Sequence, residues 1–363
     1  MLPIFLIVAC SLALHSSDAY YTRSKGSRFT CKDPNGQDVD WYIVYKLPRD
    51  RENSNKLIEV GLAHYYMDAR NPRFTLSEVS VNASSGHAIA NTLKQMYDAD
   101  KLDKDVLRLL MNDRAPRGKT IFNLAHQKGV LLFGPLGGFW MIQNTPGFPN
   151  APSTPYEWPH SGTYFGQAAL CISMATVDNL DAIGDILAMS IPNVYDSRLP
   201  TQFKVSPLFE QVVNGHVNDS APWILERTLT SSAGVEFRAF SKHTKFSNDL
   251  YEFVADKFGT DLRTETWQNG PKYRNLPSFC PLTGPKVENI LSVQLDSIRF
   301  DNHQDHSKYA VSDGEHSTVC VGDINRQKSQ FKRGGGTVCF KNTAAWNAFN
   351  SAIGSVDACK KSE

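Results

Sequence analysis

No surplus of charge of either sign marks this chain: 38 lysines and arginines stand against 37 aspartates and glutamates, a formal net charge of +1. Global charge neither demands nor forbids a polyanionic substrate, so any attraction for one must be local. Beyond the first residues no run approaches the ~20 apolar residues needed to cross a bilayer, and no membrane insertion is expected. Pro-rich spacers, low-complexity tracts and long linkers are missing, which argues against a string of small modules. There is no G-x-S-x-G, which disfavours a serine hydrolase, and Gly334-Gly335-Gly336 lacks the G-K-[ST] ending of a phosphate-binding loop. No two cysteines form C-x-x-C, so neither a zinc nor a redox centre is expected, and nothing calls for a metal or cofactor.

What the chain does have begins with MLPIFLIVACSLALHSSDA, residues 1–19, an apolar run from Leu2 to Leu14 followed by small and polar residues. This reads as a cleavable signal peptide. Of 7 cysteines, Cys10 falls within it and Cys31, Cys171, Cys280, Cys320, Cys339 and Cys359 remain, an even set suited to disulfides of open connectivity. Sequons at Asn82 and Asn218 fit a glycosylated secretory product outside the cytosol.

A chain of 363 residues, 41% of them hydrophobic, can bury either one large α/β unit or two halves. DWYIVYK at 40–46 predicts a strand, and Leu93, Met96, Tyr97, Leu102, Val106, Leu107 and Leu110 predict a helix over 91–112. AHQKGVLLF at 125–133 predicts a buried strand closed by Gly134-Pro135, with GGFWMIQ as its hairpin partner. Helices are expected at 179–187, 249–258 and from Ala344, and strands at 235–239 and 305–312. The expected architecture is a pair of similar α/β halves with mixed β-sheets, 20–195 and 196–363.

An H-x-K triplet lies on a strand-like stretch in each half: His126-Gln127-Lys128 and His306-Ser307-Lys308. In an extended strand residues i and i+2 share a face, so each histidine and its lysine would project together. One such triplet means little. Two, in separate halves, suggest a site across a pseudo-twofold interface suited to phosphodiester cleavage without metal. One imidazole would attack phosphorus, the other would protonate the leaving oxygen, and two lysines would stabilise the non-bridging oxygens. Asp313, five residues after Lys308, is a candidate for orienting a histidine, or else caps a turn before Gly314. The first copy has Phe133 at the matching place.

VDWYIVYKLP, HQKGVLLF with GGFW, YFGQAALC, SKHTKF, DHSKYAVS, CVGDINR and RGGGTVC together resemble the deoxyribonuclease II family of lysosomal acid DNases, over nearly the whole chain. The resemblance implies a phospholipase D-like fold and metal-independent hydrolysis of DNA to products ending in 3′-phosphate. It also implies a lysosomal or secreted location and catalytic pairs at His126 with Lys128 and His306 with Lys308. Its disulfide pattern would join Cys31 to Cys171, Cys280 to Cys359 and Cys320 to Cys339. The superfamily motif H-x-K-x-x-x-x-D continues as G-S-x-N; this chain matches through Asp313 but has Gly322-Asp323-Ile324-Asn325, and no counterpart of Asp313 stands in the first half. By the same analogy His126 is the nucleophile and His306 the acid.

Asn325 is a candidate for substrate contact or for loop hydrogen bonding. Arg326, Lys328, Lys332 and Arg333 form a basic cluster that either contacts DNA phosphates or is a solvated loop. The remaining histidines are taken as structural, including His303, whose H-x-x-H with His306 lacks a third ligand, and Trp41, Trp140 and Trp346 as core. The leading expectation is an acid endodeoxyribonuclease acting on double-stranded DNA with little sequence preference, from dying or ingested cells. Alternatives are a phosphodiesterase of the same fold acting on lipid head groups and a non-catalytic secreted glycoprotein; a homo-oligomer is compatible with any of these.

Overall fold

A computed structural model describes residues 28–360, apart from 103–104, 217–219, 271–273 and 315. The signal-peptide reading and the Asn218 sequon lie outside the described residues; Asn82 is exposed. Among the described residues no helix is long and apolar enough to cross a membrane.

Two sheets carry the molecule. The first, of eight strands, comprises β1 (Trp41–Lys46), β2 (His64–Asp68), β3 (Thr75–Leu76), β4 (Leu107–Asn112), β5 (Lys128–Gly134), β6 (Gly137–Gln143), β7 (Gln167–Met174) and β8 (Val194–Arg198), in the spatial order 8-4-5-6-7-1-2-3. The second, of nine, comprises β9 (Ile224–Thr230), β10 (Glu236–Lys242), β11 (Leu262–Thr266), β12 (Val287–Leu295), β13 (Ile298–Asp301), β14 (Lys308–Ser312), β15 (Thr318–Gly322), β16 (Gly335–Lys341) and β17 (Ile353–Asp357). Its order is 9-10-16-15-14-11-12-13, with β17 beside β12. The first sheet is antiparallel throughout; the second is mixed through the parallel pair β11–β12.

Strand alternation builds three layers of core from these sheets. Trp41, Ile43 and Tyr45 of β1 face the second sheet and meet residues such as Tyr309, Val319 and Phe340 in one central core, where the Trp41 and Phe340 rings lie 4.9 Å apart. Tyr42 and Val44 face outward under α1 (Ala88–Leu102). The outer face of the second sheet is covered by α4 (Leu250–Phe258), capped by Asp249 and ended by Gly259. Between these come α2 (Leu180–Ser190) and α3 (Pro207–Val213), and α5 (Thr343–Ser351) follows. Disulfides join Cys31 to Cys171, Cys280 to Cys359 and Cys320 to Cys339, the pairing implied by the resemblance.

Two expectations need revision. The helix predicted over 91–112 stops at Leu102, and Leu107–Asn112 is strand β4, buried on both faces, so its leucines, interrupted by the buried Arg108, mimicked helical spacing. The expected division at 195/196 cuts β8, which pairs with β4 in the first sheet, and we propose that the first half extends through Arg198.

The order of strands 4-5-6-7-1-2 repeats in the second sheet as 11-14-15-16-10-9. Register makes the repeat residue-specific. Asn112 pairs with Lys128 as Thr266 pairs with Lys308, Gln143 pairs with Ala169 as Gly322 pairs with Thr337, and Lys46 pairs with Gln167 as Lys242 pairs with Gly335. This pseudo-twofold equates His126 with His306, Asp113 with Trp267, Phe165 with Arg333, Gly166 with Gly334, Asn144 with Asp323 and Lys46 with Lys242.

Candidate active site

His126 and His306 stand just before β5 and β14, and Lys128 and Lys308 are the first residues of those strands. The intervening residues point away: Gln127 accepts a hydrogen bond from Ser190 Oγ at 2.6 Å, and Ser307 Oγ donates to Asp305 at 2.7 Å. The expected projection of histidine and lysine to one side is thus met at a strand's beginning instead of its middle.

Each histidine is held by the opposite half. The His126 N–H donates to the Gly334 carbonyl at 2.9 Å, and the His306 N–H donates to the Gly166 carbonyl at 2.9 Å. Both glycines are required by close approach: a Cβ on Gly334 would run into the Ser190 carbonyl, and one on Gly166 into the Asp305 side chain. Asn144 reinforces the crossing, and Asp323 makes a matching bond within its own half. Asn144 Nδ2 donates to the Gly322 carbonyl at 2.6 Å while its Oδ1 accepts from the Ala168 N–H at 3.1 Å; Asp323 Oδ1 accepts from the equivalent Gly336 N–H at 2.8 Å.

The four predicted side chains share one electrostatic site. Burial, then the Lys128 charge, holds His126 well below its ordinary 6.5, and Lys308 adds to this. Burial, then Lys308 and Lys128, does the same to His306. Lys308 is lowered to about 7 by burial and by Lys128. Both lysines are 2% exposed, and each ammonium donates to the carbonyl of its own histidine. Asp323 belongs to the same cluster: burial pushes its carboxyl up to about 7, against the pull of Lys128 and Lys308.

The surroundings of the two imidazoles differ. Asp113, the residue after β4, lies 2.7 Å from Lys128 Nζ and 3.8 Å from His126 Nε2, and Arg333 reaches it from the other half at 3.2 Å. Burial raises the Asp113 carboxyl, but Lys128, His126 and Arg333 together pull it well below the usual carboxylate range. The equivalent positions around His306 are aromatic: Phe165 stacks on it at 4.4 Å and 15°, and the Trp267 ring lies 3.8 Å away.

Other candidates fall elsewhere. Asp313 sits at the far end of β14, about 17 Å along a strand from Lys308 at ~3.3 Å per residue, and pairs with Arg263 at 3.0 Å, so it does not orient a histidine. Arg326 is 1% exposed, bound to Asp249 at 2.7 Å and to Asn289 at 2.5 Å; Arg333 is likewise buried, on Asp113 and the Leu124, Ile121 and Ala125 carbonyls. Neither is a surface cation for DNA, whereas Lys328 and Lys332 are exposed. Asn325 is buried two residues beyond Asp323, its Oδ1 without a protein partner. No group of three or more His, Cys, Asp or Glu among the described residues could hold a metal ion.

The sequence reading missed Asp113, Phe165 and Trp267. Asp113 brings a carboxylate beside the first motif from just past a neighbouring strand, and only the pairing of Asn112 with Lys128 could have revealed it.

The model of the family described as Deoxyribonuclease II matches residues 30–359. The chain belongs to the deoxyribonuclease II family. It is 37% identical over 337 residues to Plancitoxin-1 of Acanthaster planci, covering 91% of this chain and 92% of that one. It is 35% identical over 344 residues to Deoxyribonuclease-2-alpha of Sus scrofa, with 92% and 91% covered, and 33% identical over 361 residues to Deoxyribonuclease-2 of Caenorhabditis elegans, with 91% and 94% covered. As a deoxyribonuclease II-type nuclease it has a mixed α/β, phospholipase D-like fold of two similar halves.

Proposed function

We propose that this deoxyribonuclease II family member is an acid endodeoxyribonuclease that hydrolyses double-stranded DNA, with little sequence preference, to products ending in 3′-phosphate. The observation that carries the reading is the reciprocal crossing in which each histidine is bonded to a glycine carbonyl of the opposite half. It supports a shared site for one phosphate.

In the first step an imidazole nitrogen of His126 bonds to phosphorus, the P–O5′ bond breaks, and the proton of the His306 imidazolium goes to O5′. In the second, water bonds to phosphorus, the N–P bond breaks and the water proton returns to His306. Lys128 and Lys308 hold the non-bridging oxygens as charge grows on them. Asp113, anionic in acid, lies close to the nucleophile. The reaction needs no metal, because imidazoles and ammonium groups supply the nucleophile, the acid and the charge stabilisation.

The direction of pH dependence follows from the site. A histidine held well below 6.5 takes up its proton only in acid, and Lys308 loses its charge as pH rises through about 7. Both effects favour acidic solution, which suits a lysosomal or secreted enzyme degrading DNA from dying or ingested cells. The test is nicking of plasmid DNA by the purified protein in chelator: activity at pH 5 that falls as pH rises toward and through 7, and drops about 10³-fold or more in His126→Ala and His306→Ala, is expected for groups acting directly in bond-making and proton transfer. Inertness toward DNA removes the reading.

A further inference from the structure

The pseudo-twofold places different chemistry around two equivalent histidines. Where Asp113 and Arg333 flank His126, the register puts Trp267 and Phe165 beside His306. Each flank is assembled from both halves: Asp113 and Trp267 follow the strands next to their own histidine, whereas Arg333 and Phe165 precede the glycines that reach across.

Phe165 lies nearly parallel to the His306 ring at 4.4 Å, Trp267 is tilted by 52° at 3.8 Å, and the two aromatics meet edge to face at 5.5 Å. Trp267 is itself fixed, its Nε1 donating to the His303 carbonyl at 3.0 Å. The loop bearing Phe165 is tied down by buried Lys46, whose ammonium donates to the Thr163 carbonyl at 3.2 Å. We propose that Phe165 and Trp267 are positioning residues that hold the His306 ring for proton delivery and stabilise its imidazolium through their π-faces. The proposal rests on the assignment of His306 as the acid.

The charged groups bearing on His306 make such a clamp necessary. Lys308 on its own strand, Lys128 from β5 and Lys46 from β1 are all cationic and disfavour the imidazolium, and Asp113 opposes them from the loop after β4. A cation stacked on aromatic faces gains without adding a negative charge that would repel the phosphate. On the His126 side a carboxylate is tolerable because Arg333 neutralises it.

Leaving-group dependence tests this. Phe165→Leu and Trp267→Leu keep an apolar neighbour and remove the π-face. Two substrates are compared: plasmid DNA, whose 5′-alkoxide must be protonated as it leaves, and thymidine 3′-(4-nitrophenyl phosphate), whose phenolate needs no proton. Each variant is expected to lose about tenfold in kcat/KM on DNA, stay within about threefold of wild type on the aryl ester, and shift the alkaline limb of the DNA profile to lower pH. Phe165→Tyr should restore wild-type behaviour. Equal losses on both substrates, or no loss on DNA, overturn the proposal. Failure of the nuclease reading looks different: wild type itself would then leave plasmid DNA uncut, whatever it does to the aryl ester.

Discussion

Asp113 is the residue on which the site's charge balance turns. One buried carboxylate serves Lys128, Arg333 and the neighbourhood of His126, and removing it strands two buried cations. Breaking a buried ion pair from one side costs about 3–5 kcal/mol, and that loss is expected for Asp113→Asn in urea unfolding at pH 6. Asp113→Asn with Arg333→Met should recover part of it. Because the Asp113 carboxyl is depressed in the folded protein, its contribution is present above the unfolded value of 3.8 and is lost only as pH falls through the lower folded value. The network therefore survives mildly acidic solution. Asp323 behaves oppositely. Its carboxyl is raised to about 7, so its contribution is full below 3.8 and lost as pH rises toward and through about 7. The other half already accommodates asparagine at the equivalent place, Asn144. Asp323→Asn should be roughly 2–4 kcal/mol more stable than wild type at pH 8 and nearly equal to it at pH 4; a constant difference across that range would contradict the assignment.

At the scale of elements, the site is made by the ends of strands and by the loops that enter them. The loops at 160–166 and 328–334 are each clamped by a buried lysine at the end of a strand: Lys46 on the Gly61 and Thr163 carbonyls, Lys242 on those of Gln330, Phe331 and Arg333. These clamps deliver Gly166 and Gly334 to the histidines. Gly334→Ala should abolish nuclease activity while retaining the circular dichroism of a folded chain, since the added Cβ displaces the loop from Ser190 and breaks its bond to His126. Wild-type activity in that variant would mean that the crossing does not position His126. The H-x-K pairs were legible because i, i+2 spacing survives in one dimension. Asp113, Phe165 and Trp267 were not, since their roles depend on which strands lie side by side. Arg326 and Arg333 read as a surface cluster because burial of a cation shows only through a distant partner, Asp249 or Asp113.

At the scale of the molecule, two sheets packed through one core bring both motifs to a common interface. Among the described residues no disulfide links the first sheet to the second, so packing and the crossed hydrogen bonds hold the halves in register. The repeat of strand order places Lys128 and Lys308 at equivalent strand starts, where their charges act on the same two histidines despite the chain's lack of overall charge bias. A crystal structure with orthovanadate at pH 5 tests this most directly. One vanadate is expected, with vanadium bonded to a His126 nitrogen, an apical oxygen within hydrogen-bond reach of His306, and Lys128 and Lys308 on the equatorial oxygens. Vanadate bound beside one histidine alone, with the other imidazole turned into a separate pocket, would contradict it.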